Sequence, residues 1–410
     1  MFGSHKTEVL VAGAGPVGLF AAIALQERGV RVAVYDQDSR MASRSYALAL
    51  HPSSLSMLDE IGLGQRLVSL GTKVETVAFY EGANREAELD YRKLDGPFPF
   101  LLVVPQNVLE HVLHDRLLQQ KVKTTWNHRV QTVKDHGDHL EAEVHKLDQV
   151  TLGYPVSVAE AVITKTLHAT ASFLIGADGY SSQIRNILDI DYDHFGDIGT
   201  FFVSEFECDR EPDPEVRIVL EEGSTNVFWP IAGRRVRWGF QIDDADSTSD
   251  TVVARLDSYL RRRAPWFRPR PERIYWSTEI KFERRLSRKF GAGRIWLLGD
   301  SAHLTSPVGV QSVNVGLREA HDLSVLLANI LLSEAPMEGL EGFEDARQAE
   351  WRRLLGLGGP VRVPDSTTPW VAARAARLPS CVPASGAHLD GLLAQIGLEL
   401  PVEGRESVDA

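Results

Sequence analysis

Apolar positions come in short runs broken by glycine-rich turns. Val9-Leu10-Val11-Ala12 is a continuous apolar run, Gly13 to Gly18 is a turn, and Leu19 to Arg28 carries apolar residues at helical spacing. A second run, Val30 to Tyr35, ends on Asp36. Strand, turn, helix and strand in that order predict a βαβ unit. A helix is expected at Pro52–Leu58, closed by Gly62 and Gly64. Residues 74 to 104 alternate in polarity and predict antiparallel strands. Pro105-Gln106-Asn107 opens a helix reaching about Gln120. Residues 126 to 173 predict a β-meander that returns to a buried strand at Phe173-Leu174-Ile175. From 198 to 243 the texture is again β. A helix (Asp250 to Arg262), an extended stretch (273 to 285), a short buried strand (Ile295 to Leu298) and a long apolar helix (Val313 to Leu332) follow. Beyond Trp351, Gly356 to Pro360 and Pro364 to Pro369 predict a linker, with a short helix at His388–Ile396.

The fold class is therefore α/β, with nucleotide-binding pieces interrupted by β-rich segments and no internal repeat. Residues 1–73, 105–190 and 275–350 are expected to form one discontinuous domain of Rossmann type. Residues 74–104 and 191–274 are expected to form a β-sheet domain interleaved with it, and 351–410 a C-terminal linker and helical segment. Composition narrows the function. A net charge of −12 over 410 residues disfavours nucleic-acid binding, which needs basic surface. Cys208 and Cys381 lack metal-ligand spacing and read as buried free thiols of a reducing compartment. The apolar runs fall short of the roughly 20 residues a bilayer demands, and the first strand starts too early for a signal peptide. A cytoplasmic protein is expected.

Three glycine motifs carry the chemistry. In Gly13-Ala14-Gly15-Pro16-Val17-Gly18, the first glycine permits the tight turn. The second lets backbone approach a pyrophosphate, and the third lets helix pack on strand. The helix N-terminus favours the anion, and Asp36 stands where a carboxylate accepts hydrogen bonds from a ribose diol. The second motif, Gly176-Ala177-Asp178-Gly179, follows an apolar run and leads through Ser181 and Ser182, candidate caps, to Arg185. The third is Gly299-Asp300-Ser301-Ala302-His303, continuing through Pro307-Val308-Gly309-Val310-Gln311-Ser312-Val313-Asn314. Its loop reaches a helix N-terminus, where backbone N–H groups can meet a carbonyl or phosphate.

In order and spacing, over about residues 8 to 350, the three motifs resemble those of the FAD-dependent aromatic hydroxylases, single-component flavoprotein monooxygenases of the p-hydroxybenzoate hydroxylase type. The resemblance implies that Gly13, Gly15 and Gly18, with Pro16 and Val17, cradle the FAD pyrophosphate. It implies that Asp36, with Gln37 beside it, binds the adenosine ribose, that Arg44 reaches the phosphates and that Gln106 contacts the ribityl region. Asp178 would serve both FAD and the visiting nicotinamide, and Gly299 and Asp300 the ribityl or pyrophosphate part. Pro307, Gln311, Ser312, Val313 and Asn314 would border the isoalloxazine ring, with Pro307, Gly309 and Val310 nearest the reaction. NADPH or NADH would reduce the flavin, and O2 would then give a flavin hydroperoxide that hydroxylates or epoxidises an apolar, aromatic or polyketide-like metabolite. Neither NADH versus NADPH nor monomer versus homodimer is fixed by the sequence.

The chain departs from the family where Val310 and Ser312 replace two glycines of the loop P-x-G-G-Q-G-x-N. A β-branched valine is a poor occupant of any position with positive φ. Two other readings follow from relatives of the same fold. Halogenation fails for want of a W-x-W-x-I-P motif, the nearest string being Phe228-Trp229-Pro230-Ile231. A redox-neutral cyclisation with FAD as a structural element is the alternative that the altered loop keeps open. Tyr46, Phe228, Trp229 and Phe240 are candidate substrate contacts, with Phe201, Trp238 and Tyr180 behind them. His303 is expected to order its loop rather than move protons. Arg234, Arg235 and Arg237, and the run Arg261 to Arg263, are expected to be solvated or helix-capping cations.

Overall fold

The computed structural model describes residues 7–41, 48–152, 158–243 and 251–401. Its helices include α1 (Pro16–Glu27), α2 (Pro52–Glu60), α3 (Gln106–Gln119), α4 (Gln183–Ile187), α5 (Val252–Arg263) and α6 (Gln311–Ser333). Val9–Ala12 is the spine of a six-stranded sheet. It pairs in parallel with Val32–Tyr35 on one side and Phe173–Gly176 on the other. Thr124–Thr125 extends the first side and Ile295–Leu297 the second, both in parallel. All four residues of the central strand are buried, as a strand covered on both faces requires. α1 packs against α6 and α3.

The second large sheet has seven strands, in spatial order 271–282, 199–208, 235–242, 225–232, 216–220, 76–81 and 84–90. It is antiparallel except where Val216–Leu220 runs parallel to Thr76–Glu81. Its edge strand, Pro271–Phe282, runs continuously through the domain boundary expected at 274/275. One face carries Phe202, Phe228, Trp238 and Phe240 into a separate small core under α5. The other joins the main core through Phe201, Val227 and Trp229. The expected meander is a three-stranded antiparallel sheet, 128–135, 140–152 and 158–171.

The C-terminal region is not a loose linker. After a helix at Gly339–Leu354 the chain folds back over the seven-stranded sheet, and Leu378, Val382, Leu389, Leu392, Leu393 and Leu398 are all buried in the main core. Tyr91 donates to the Pro383 carbonyl at 2.8 Å, and Gln395 exchanges hydrogen bonds with the Asp90 backbone. The sequence reads as a linker because glycine and proline dominate its turns; the leucines between them supply the adhesion. Cys208 and Cys381 are free and buried, as expected.

Candidate functional site at the three glycine turns

The first turn is built by close backbone approach. Gly13 adopts φ 106°, and a Cβ there would stand 2.1 Å from the Ala177 carbonyl oxygen. A Cβ on Gly18 would stand 2.1 Å from the Gly13 oxygen. Gly15 by contrast faces open space and caps α1 without a side-chain partner. Pro16 and Val17 open α1, whose first turn carries no acid, so its free N–H groups face outward as an anion site.

Around this turn lies a cleft of about 410 Å³, whose lining includes Gly13, Gly15, Asp36, Gln37, Asp178 and Gly179. Asp36 accepts from Ala14 N at 2.6 Å and Asp38 N at 2.7 Å, which locks it beside the turn. Asp178 accepts from Ser182 Oγ, Gln183 N and Ile184 N at 2.6 to 3.1 Å and so anchors the start of α4. Burial raises the pKa of both carboxyls above the ordinary value. Gln106, opening α3, donates to Glu110 at 2.8 Å. His128 and Arg129 also line the cleft, and Arg129 Nε is buried without a partner among the described residues. Sequence reading passed over both; their signal is the short strand before them, which extends the parallel sheet beside Asp36.

The second and third motifs are bolted together. Arg185, buried, donates from Nη1 to the Ser301 carbonyl at 2.8 Å and from Nη2 to the Tyr180 carbonyl at 2.9 Å. Ser301 Oγ donates to the Gly176 carbonyl at 2.6 Å. Gly299, at φ 63°, donates its N–H to Glu319 Oε2 at 3.0 Å. His303 Nε2 meets the same Glu319 oxygen at 2.9 Å, and its ring stacks 3.7 Å from Trp351. His303 is fully buried and orders the loop. Asp300 is different. It is exposed to solvent, and desolvation by the surrounding protein raises its pKa. It accepts no hydrogen bond from the described residues.

Val310 caps α6 in the left-handed conformation, φ 48° and ψ 35°. Ser312, the other replaced glycine, lies inside α6 with ordinary helical backbone. Asn314 Nδ2 donates to the carbonyls of Val310 (2.8 Å) and Ala49 (2.9 Å), while its Oδ1 accepts from His51 N at 2.8 Å. His51 Nε2–H donates to the Gly309 carbonyl at 3.0 Å, and its Nδ1 has no partner among the described residues. Burial pushes the His51 pKa down to about 3. Gln311 is fully buried and turns toward the C-terminal region, donating to the Pro379 carbonyl at 3.2 Å. Pro307, Ser312 and Val313 remain half-exposed at the same helix end.

Other expected contacts are placed elsewhere. Phe228 and Phe240 face α5, packed around Trp238, so the pleat turns them away from the cleft. Trp229 points to the opposite face and is buried in the main core. Arg44 and Tyr46 lie outside the described residues. Arg234 and Arg235 are solvent-exposed, as expected, and pair with Glu205, Glu207 and Glu272, whereas Arg237 is buried against Glu205. Arg263 is buried and donates to Asn226, and Tyr180 is exposed.

The residues fit an FAD. The cradle has backbone room only where glycines stand, α1 presents uncapped N–H groups to an anion, and Asp300 offers an unpartnered carboxylate for hydroxyl donors. Comparison with known proteins agrees. Residues 6–356 match the family described as an FAD binding domain. A 6-methylpretetramide 4-monooxygenase from Streptomyces rimosus is 29% identical over 359 residues, covering 85% of this chain and 60% of that protein. A pentachlorophenol 4-monooxygenase from Sphingobium chlorophenolicum is 25% identical over 369 residues, covering 86% and 64%. The chain thus spans less than two thirds of the length of these two curated relatives. The crystal structure of a p-nitrophenol 4-monooxygenase from Pseudomonas putida DLL-E4 superposes with a TM-score of 0.72 at 20% identity, covering 91% of this chain and 93% of that one, a likeness of fold. The chain belongs to the family described as an FAD binding domain.

Proposed function

We propose that the chain is an FAD-dependent monooxygenase that uses NADPH or NADH and O2 to hydroxylate or epoxidise an apolar aromatic or polyketide-like metabolite. The observation that carries this reading is the meeting of three glycine turns distant in sequence: the first two line one cleft, and the third is bonded to the second and packs against Val17 of α1. Relatives named for oxygenation of aromatic and polyketide compounds support it. These relatives do not favour the redox-neutral alternative.

The uncapped N–H groups of α1 and the turn Gly13–Gly18 would hold the pyrophosphate. Asp36 and Gln37 would hold the adenosine ribose, and Arg44 would neutralise phosphate charge. Asp300 would accept from ribityl hydroxyls, with Gln106 nearby, and Asp178 would border the site while keeping α4 in place. Pro307, Gly309 and Val310 would wall the reacting end, with the α6 N-terminus presenting N–H groups at Gln311, Ser312, Val313 and Asn314. Bound FAD supplies the electron transfer from nicotinamide and the activation of oxygen. The protein's own work is orientation and exclusion of water, which the buried walls around Val308 and Val310 serve.

The test is anaerobic flavin reduction by NADPH and by NADH, followed by admission of oxygen. Bleaching and reoxidation that accelerate with an aromatic substrate are expected. A tightly bound flavin that resists both donors would sink the reading. Asp300→Ala should lose at least about tenfold in FAD affinity, the equivalent of one charge-assisted hydrogen bond. Unchanged flavin retention would remove Asp300 from the site.

A further inference from the structure

A second cleft, of about 380 Å³, lies between the seven-stranded sheet and the C-terminal region. One wall is aromatic. Phe201 and Phe282 meet edge to face, with centroids 5.5 Å apart and planes at 88°. Gly199 and Gly239 flank the Phe201 ring; a Cβ on Gly199 would sit 3.2 Å from it, so glycine there admits the ring, which lines the slot. The cleft also touches Ser306, immediately before Pro307, and Ser380. Ser380's carbonyl stands 2.7 Å from where a Gly309 Cβ would be. The slot therefore backs directly onto the loop of the third glycine motif.

The same cleft also carries two cations. Arg284 and Arg377 both line the cleft and are half-buried. Arg284 donates to the Leu355 carbonyl. Arg377 donates to the carbonyls of Glu221, Glu222 and Ser224 and to Thr225 Oγ1. All these acceptors are neutral. Asp197 and Glu222 also line the cleft, but both are solvent-exposed at its rim, and among the described residues neither pairs with either guanidinium. Burial lowers the Arg284 pKa, and no carboxylate contributes to offset it. In a chain of net charge −12, a concave wall with two unneutralised cations concentrates positive potential in one slot.

We propose that this cleft selects a planar aromatic acid, its ring stacked in the slot beside Phe201 and its carboxylate drawn to Arg284 and Arg377. The proposal rests on the monooxygenase reading for the fate of that ligand, but the recognition itself needs only the cleft. Arg284 suits it because, with one bond to the Leu355 carbonyl, it keeps N–H donors for a carboxylate, while Arg377, its Nη hydrogens committed to backbone carbonyls and Thr225, adds positive charge. Phe201, Arg284 and Arg377 are then specificity-determining residues.

The test uses FAD-loaded protein and two isosteric probes, 1-naphthoate and 1-naphthamide, followed by isothermal titration at low and high ionic strength. Naphthoate should bind about tenfold or more tightly than the amide, a preference worth about 1.4 kcal/mol, and salt should shrink it. Arg284→Gln should erase the preference, Arg284→Lys should retain part of it, and Arg377→Gln should reduce it. Equal binding of acid and amide by the parent protein, or a preference that survives in Arg284→Gln, overturns the proposal. Because the readout is binding, a protein that fails the nicotinamide test yet prefers naphthoate would lose the monooxygenase reading and keep this one. A protein reduced by NADPH that binds both probes alike would do the reverse.

Discussion

Val310 carries the clearest local conflict between residue type and backbone. A left-handed conformation costs a non-glycine residue about 1–2 kcal/mol, and the cost persists because Asn314, His51 and the buried valine side chain fix the turn. Val310→Gly removes the strain but also forfeits about 1.5–2 kcal/mol of apolar burial, so its stability should lie within about 1 kcal/mol of the parent. Val310→Ala forfeits much of the burial and keeps the strain. Urea denaturation should therefore rank glycine above alanine, the reverse of the order in an ordinary helix. An alanine variant as stable as the glycine one would show that the turn relaxes. His51 makes a second prediction. Its folded pKa of about 3 lies below the ordinary 6.5, so the unfolded chain binds the proton first as pH falls. The stability that neutral His51 confers is complete above pH 6.5 and is lost progressively from there down to about pH 3, by several kcal/mol at the acid limit. His51→Gln should flatten that part of the stability–pH curve. A curve identical to the parent's would mean that His51 is not held neutral.

Among elements, the lock between the second and third motifs matters most. Arg185 satisfies two backbone carbonyls from different turns, and Ser301 returns a bond to the strand end at Gly176. Arg185→Met should lower stability by about 2–4 kcal/mol, because removing the guanidinium strands buried acceptors. The urea midpoint should fall at unchanged slope, and an unmoved midpoint would show that water replaces the guanidinium. This scale also separates what the chain declares from what it hides. The βαβ unit, the long helix at 311–333 and the glycine turns are written in local periodicity and in glycines whose Cβ would collide with backbone. The facing of Phe228 and Phe240 is not, since a strand buried on both faces loses the alternation that assigns sides. Arg284, Arg377 and Arg129 were equally hidden. Each gains its role from partners, or from an absence of them, that only the folded chain brings near.

For the whole molecule, the C-terminal region behaves as a structural strap. Its eight buried leucine and valine side chains beyond Gly356 correspond to an apolar contribution on the order of 10 kcal/mol, comparable to the entire net stability of an ordinary domain. A chain truncated after Gly356, where the family match ends, should expose this core and bind a hydrophobic dye. A truncated chain with a native unfolding transition would refute that. No helix among the described residues is long and apolar enough to cross a membrane.

The strand order of the first sheet has a consequence for how the protein is made. The neighbour of Val9–Ala12 on one side is Phe173–Gly176, and the next strand out comes from Ile295–Leu297. During translation the opening strand and its glycine turn emerge early but wait for most of the chain before that flank is complete. Loop closure over such separations is slow, and unpaired strand edges invite aggregation. The nascent polypeptide should therefore complete its dinucleotide cradle in stages: the cleft between the first two turns closes only once Phe173–Gly176 has left the ribosome, and the third turn joins them later still.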